Sequence, residues 1–406
     1  MLLVTALISA WNPATALSIA LGLYLPIWYI GMIGWMGYAM FPYMAVVIAF
    51  FFVCRQEVLR RRSPIVPGTR AAFCLAALVF AQWFRSGDMK DSASILCDVA
   101  AFSTLFWKLP SFAEAEVREA AQSFVLGIFG SSVVLLCTEL FRVARLADSL
   151  HFNPDGVGYA AGVALILTIS GVVFRNKLWL RFCIAPVLII VLYFSGGRTA
   201  FYAAGLSVVI TLWFERRHIA LYLAGCTLLA SLYFLRGELT HAVGLAARML
   251  GPFTERFSDS SARRQEIWSY LIAHMDRYWI GGVGLGNTDQ VTGPAGLLTS
   301  GYALQTHNVY LTLVVELGIL GVGLFAIWQV TVLAAGIKNR SRMVMLVPLL
   351  LYFSIAGFFD GLNLSLVVGF MIVAGYRLQQ QPMKNWKVQT IPVRQQRMPV
   401  HAFGQR

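Results

Sequence analysis

Thr306-His-Asn308 runs directly into Val309-Tyr-Leu-Thr-Leu-Val-Val-Glu-Leu-Gly-Ile-Leu-Gly-Val-Gly-Leu-Phe-Ala-Ile-Trp-Gln-Val-Thr-Val-Leu-Ala334. Glu316 is the only charged residue in this run. About 20 apolar residues cross the ~30 Å hydrocarbon core of a bilayer, so residues 308–334 are expected to form a membrane span. On the N-terminal side the character reverses. From Arg236 to Thr306 the chain is polar, with Arg236, Arg248, Arg256, Arg263, Arg264 and Arg277 and a glycine-rich turn, Gly281-Gly-Val-Gly-Leu-Gly286. A long polar connection in a chain whose other connections are short is where chemistry concentrates.

Working outward, similar apolar runs recur along the chain. Twelve spans are expected, over residues 15–33, 39–54, 68–85, 92–109, 118–142, 156–175, 178–195, 198–214, 218–235, 308–334, 343–359 and 362–377. The composition agrees: of 406 residues, 58% are hydrophobic and 13% charged, whereas a soluble domain is about a quarter charged. The expected fold is all-α: one polytopic transmembrane helical bundle of about twelve spans with one large periplasmic loop containing an amphipathic helix. Residues 1–235 supply helices 1–9, residues 236–306 the loop, residues 307–377 helices 10–12 and residues 378–406 a basic cytoplasmic tail. The start, Met1-Leu-Leu-Val, lacks the basic region of a secretory signal peptide.

The net charge is +13. In a membrane protein this reads as basic cytoplasmic loops, not as nucleic-acid binding. With the N-terminus inside, alternate connections place 21 of the 32 Lys and Arg residues on the cytoplasmic side. The long loop then falls on the outer face, and both termini are cytoplasmic. Cys54, Cys74, Cys97, Cys137, Cys183 and Cys226 all lie in or at the ends of apolar runs, and none forms a C-x-x-C pair. Neither a disulfide framework nor a metal site is expected.

Arginines on the outer face run against the positive-inside bias and call for an anionic partner. Arg142 and Arg145 end the fifth span, ahead of an Asn153-Pro-Asp-Gly156 turn. Arg198 follows Ser195-Gly-Gly197 at the mouth between two spans, where glycines permit a close approach and the helix start favours an anion. A snorkelling helix-end arginine is the plain alternative there. Arg263 and Arg264 open an amphipathic helix expected over Ser261–Ile280. Its apolar side is Ile267, Trp268, Leu271, Met275 and Trp279, as on any helix lying in a membrane interface. The planar guanidinium suits phosphate. Gly281–Gly286 has no preceding strand and no following Lys-Ser/Thr, so it reads as a flexible turn and not a nucleotide loop. His307 is expected to cap the tenth span beside Asn308 and Tyr310. A neutral imidazole there suits a general base for a sugar hydroxyl, although a lone His is more often structural. Glu316 is expected to be a buried orienting acid. Asp360 and Asn363 are candidates for orienting His307 or binding sugar hydroxyls, and Glu266 for pairing with Arg263.

Four elements together resemble the O-antigen ligase and O-antigen polymerase superfamily. They are Ser195-Gly-Gly-Arg198-Thr-Ala-Phe, Arg264-Gln-Glu-Ile-Trp268, Gly282-Val-Gly284-Leu-Gly286 and His307-Asn-Val-Tyr-Leu-Thr-Leu-Val-Val-Glu316-Leu-Gly318-Ile-Leu-Gly321. Asn153-Pro-Asp is similar to the family's Asn-Pro-Asn element and departs from it at Asp155. The resemblance covers residues 140–377. It implies nucleotide-sugar-independent, metal-free, inverting glycan transfer at the periplasmic face of a bacterial inner membrane, with no cofactor. The implied donor is a glycan on undecaprenyl diphosphate. The acceptor is lipid A–core for a ligase, or a growing glycan for a polymerase. By the resemblance, Arg198 and Arg264 hold the diphosphate and His307 is the acceptor base. Arg142, Arg145, Arg263, Asn308, Tyr310 and Asp360 are substrate-binding candidates.

Ligation is the leading reading and polymerisation the second. A protein O-oligosaccharyltransferase would carry a larger C-terminal region. A peptidoglycan polymerase finds no second matching motif. A secondary transporter, from a different class, would place ionisable residues or broken helices at mid-membrane in paired halves.

Overall fold

The computed structural model describes residues 13–23, 65–86, 102–103, 106–139, 154–174, 177–195, 197–215, 259–293, 298–299, 302–303, 306–359 and 365–378. These form helices α1 (Pro13–Gly22), α2 (Thr69–Trp83), α3 (Glu114–Glu139), α4 (Pro154–Ile169), α5 (Leu178–Phe194), α6 (Arg198–Phe214), α7 (Asp259–Ala273), α8 (Thr288–Thr292), α9 (Val309–Ile337), α10 (Arg340–Phe359) and α11 (Ser365–Arg377). The architecture is helical, as expected, apart from one small antiparallel strand pair, Leu298–Thr299 with Tyr302–Ala303. Among the described helices, α3 and α9 are long and apolar enough to cross a membrane. The expected spans 39–54 and 218–235 and the basic tail lie outside the described residues.

The bundle is built around α4. Val157, Ala160, Ala161, Val163, Ala164, Ile166 and Leu167 are all fully buried, so this helix is covered on every side. Small residues allow that. A side chain at Gly158 would sit 2.6 Å from Ser195 Oγ at the end of α5. Gly162 faces the ring of Tyr352 in α10, whose hydroxyl donates to Tyr159 O at 3.0 Å. Close helix approach through glycine and alanine is the usual packing mode where lipid removes the hydrophobic drive between helices. At the start of α3, Glu114 and Glu116 complement the helix dipole, and Glu116 accepts from the Ala113 amide at 2.7 Å.

Basic side chains gather at one end of the bundle. Arg181 donates to Phe174 O at 3.0 Å and to Gly171 O at 3.0 Å, closing the C-terminal end of α4. Arg377 donates to Phe112 O at 2.8 Å, Arg342 lies 3.9 Å over the Tyr376 ring, and Arg118 pairs with Glu114. These arginines bond carbonyls just past helix ends, pair with a carboxylate or stack on a ring. The start of α6 at Arg198, the end of α2 and the whole of α7 lie at the opposite end.

Candidate functional site

The site-bearing end is assembled from α7, the glycine turn that follows it, and α9. Helix α7 docks through Ile267 and Leu271, which are buried together with Tyr278 against Val315 of α9. The expected helix over Ser261–Ile280 is corrected here. It stops at Ala273, a 3-10 turn covers Met275–Arg277, and Tyr278 takes the buried place while Trp279 is 46% exposed. The tighter turn rotates the register, and the Tyr278 hydroxyl donates to Leu271 O, stitching the turn to the helix. Burial, then Tyr270 and Asp276, push the Tyr278 hydroxyl up to about 12.

One turn beyond Arg264 on the same helix, Trp268 Nε1 donates to Thr306 O at 2.8 Å. This bond joins α7 to the residue before His307. The junction is polar and closed. Thr306 and Asn308 are buried, Thr306 Oγ1 lies 2.5 Å from Thr312 Oγ1, and Asn308 Oδ1 accepts from the Leu311 amide at 3.1 Å. Asn308, not His307, is therefore the N-cap of α9, the role for which its short side-chain carbonyl is suited. His307 stands just outside the helix with φ 48°, the one non-glycine residue in the left-handed region among those described. Its neighbours' bonds hold it in that conformation, and its side chain is half-buried.

The span expected over 308–334 is apolar and long as anticipated, but it is interrupted. Gly318 has φ 70° and ψ −167°, a region open essentially to glycine alone. There α9 doubles back. The Tyr310 hydroxyl meets Gln329 Nε2 at 3.0 Å, and its ring lies 5.8 Å from that of Phe325. A continuous helix would separate residues 310 and 329 by about 28 Å. Leu313 and Leu317 pack with Leu324 and Phe325 across the fold. The Asn308 cap consequently lies beside the descending half of α9 and the end of α10. Phe358 touches both Trp268 and Tyr310, at 5.7 and 6.3 Å between ring centroids.

The reversal strands helix carbonyls, and the glycine turn satisfies them. Val283 N donates to Val315 O at 2.8 Å and Gly284 N to Glu316 O at 3.2 Å, while Ile319 N donates to Trp279 O at 2.6 Å. Gly282, Gly284 and Gly286 all have positive φ. A side chain at Gly282 would collide with the Glu316 backbone. The expected flexible turn is thus a fitted plug.

Residues 183–326 match the family model described as O-antigen ligase. That stretch of the chain is similar to the O-antigen ligase family. No curated protein matches the chain. The O-antigen ligase match opens within α5 and closes just past the reversal of α9, so it spans α6, α7, the plug and the His307 turn.

The sequence-predicted residues fall into three groups. His307, Asn308 and Tyr310 are brought together at the start of α9, and Arg264 is tied to them through Trp268. Arg198 opens α6 and Arg263 lies in the second turn of α7, and their backbones alone are described. Arg142, Arg145, Asp360 and Asn363 lie outside the described residues. Glu316 is buried at the reversal and accepts from Thr288 Oγ1 at 2.8 Å, so it braces the plug. Sequence reading missed Gln329, Ser354 and Phe358. Gln329 meets Tyr310 because α9 doubles back, Ser354 of α10 accepts from Gln329, and Phe358 of α10 packs on the Tyr310 ring; a lone glutamine in an apolar run was the available signal.

Proposed function

We propose that this protein transfers an undecaprenyl-diphosphate-linked glycan to an acceptor hydroxyl at the periplasmic face of the inner membrane. The leading reading is O-antigen ligation to lipid A–core. What supports it is the Trp268–Thr306 bond, which couples the arginine-bearing helix to the turn holding His307. The acceptor hydroxyl attacks the anomeric carbon from the face opposite the diphosphate. Its proton passes to the His307 imidazole. The carbon–oxygen bond to the diphosphate breaks, and the lipid diphosphate leaves with the electron pair, inverting the centre. Arg264 and Arg198 stabilise the growing phosphate charge. Losing one such contact costs on the order of 2–4 kcal/mol in the transition state. The chemistry uses no nucleotide sugar, metal or cofactor.

Polymerisation on the lipid carrier uses the same donor step and differs only in the acceptor. A transporter is disfavoured: among the described helices the interruption at Gly318 has no paired counterpart, which inverted-repeat carriers would supply. The deciding experiment is gene deletion in the native host, complemented with wild type, Arg264→Ala or His307→Ala, with lipopolysaccharide separated on gels. A core without any cap beside accumulated lipid-linked chains identifies a ligase. A core bearing one repeat without a ladder identifies a polymerase. Full complementation by either point variant removes that residue from the mechanism.

A further inference from the structure

We propose that Arg85, with Gln82 and Asn287, is a positioning device for the transfer site. It clamps the glycine plug into the reversal of α9 and so sets the Arg264 helix against the His307 turn. Arg85 lies just past the end of α2, outside the matched family region, and nothing in its sequence surroundings distinguishes it from an ordinary cation flanking a span.

Its geometry does distinguish it. Arg85 Nη1 donates to Gly281 O at 3.0 Å and to Gln82 Oε1 at 3.1 Å, and Nη2 donates to Gly282 O at 3.2 Å. Gln82 Nε2 donates to the same Gly281 carbonyl at 3.0 Å. The contact is returned: Asn287 Nδ2 donates to Arg85 O at 2.9 Å and to Val283 O at 3.0 Å. A side chain at Gly284 would lie 2.8 Å from Arg85 O, so the turn sits directly on the end of α2. A snorkelling arginine needs none of this. The guanidinium fork is instead spent on consecutive carbonyls of one turn, the bidentate use that lysine cannot copy.

The turn held in this way donates Val283 N and Gly284 N to α9, and Trp279 O accepts from Ile319 N. The plug is covalently continuous with α7 on one side and hydrogen-bonded to both arms of α9 on the other. Releasing it frees α7 to shift against the start of α9. Displacement on the order of 1 Å between reacting groups costs about a hundredfold in rate. Arg85 therefore acts through the fold and not on the substrate.

This inference rests on the proposed transfer reaction for its activity arm and stands apart from it in its structural arm. The test uses the full chain in lipid nanodiscs, as wild type, Arg85→Ala and Arg85→Lys. Transfer is followed from the host's undecaprenyl-diphosphate-linked glycan to lipid A–core or to a lipid-linked chain. Amide hydrogen exchange is read on peptides covering 279–287 and 315–320. The expected result for R85A is a kcat lowered by about tenfold to a hundredfold, an unchanged KM, and faster exchange at Val283, Gly284 and Ile319. R85K, with one point donor in place of the fork, should recover part of both. Wild-type kcat or wild-type exchange in R85A overturns the proposal. So does lost activity with unchanged exchange, because Arg85 would then be meeting substrate. If R85A fails to insert, Gln82→Ala, which removes fewer bonds, is judged by the same criteria. If R264A and H307A keep full activity, the transfer reading fails while exchange still judges the clamp.

Discussion

At the scale of single residues, the site end depends on hydrogen bonds that one atom can remove. Trp268→Phe keeps the ring against Phe358 and deletes the indole donor to Thr306 O. It should cost about 1 kcal/mol of stability, and kcat should fall more than KM changes, as read from detergent melting curves and transfer assays. Gly282→Ala forces a left-handed alanine into the Glu316 backbone. The conformation alone costs roughly 1–2 kcal/mol, and the collision adds to it, so folded yield on size-exclusion chromatography should drop sharply. Tyr278 offers a pH test. Its hydroxyl is raised from 10.0 to about 12, so its contribution is fully present below pH 10 and is lost as pH rises through about 12. Phenolate absorbance near 295 nm should show a phase titrating later than the exposed tyrosines, and Tyr278→Phe should reduce the amplitude of that late phase by one tyrosine. The candidate arginines and His307 stood out in the sequence because charge on the expected outer face runs against the positive-inside bias. Arg85 did not, because a cation flanking an apolar run is commonplace and its partners are backbone carbonyls about 200 positions away, which no local pattern encodes.

At the scale of elements, hydropathy identified most described helices within a few residues. The apolar runs at 68–85, 178–195, 198–214 and 343–359 correspond to α2, α5, α6 and α10. The same signal misread α9. A sum of apolar residues is blind to backbone angle, and Leu317-Gly-Ile-Leu-Gly321 looks like any glycine-containing span. The plug was visible as a glycine run, but its partner was not. Gly318→Ala should therefore be worse than an ordinary helix substitution to alanine, which stabilises by about 1 kcal/mol. Here a side chain would meet the Ile280 backbone, and the reversal would open. Cysteines placed at residues 313 and 324 should crosslink in wild type and fail to do so in the Gly318 variant. Gln329→Leu tests the same fold from the other side. It removes the partner of the Tyr310 hydroxyl and should lower activity while leaving insertion intact.

At the scale of the molecule, Arg118, Arg181, Arg342 and Arg377 mark one end and α7 with its plug the other. The proposed orientation places Asp276, in the exposed 3-10 turn, outside the cell membrane and Lys338, after α9, inside. In a variant with the native cysteines replaced, a membrane-impermeant thiol reagent should label Asp276→Cys in intact spheroplasts. Lys338→Cys should be labelled only after permeabilisation. The opposite pattern inverts the topology.

The doubled-back α9 also bears on how the chain is made. A helix reversed inside a bilayer exposes carbonyls that lipid cannot satisfy. Here the donors that satisfy them, at Val283 and Gly284, precede Val315 and Glu316 in sequence, and the clamp on α2 precedes both. Synthesis from the N-terminus therefore delivers the receptor first, the plug second and the reversing helix last. Each piece meets a partner that has already emerged from the ribosome.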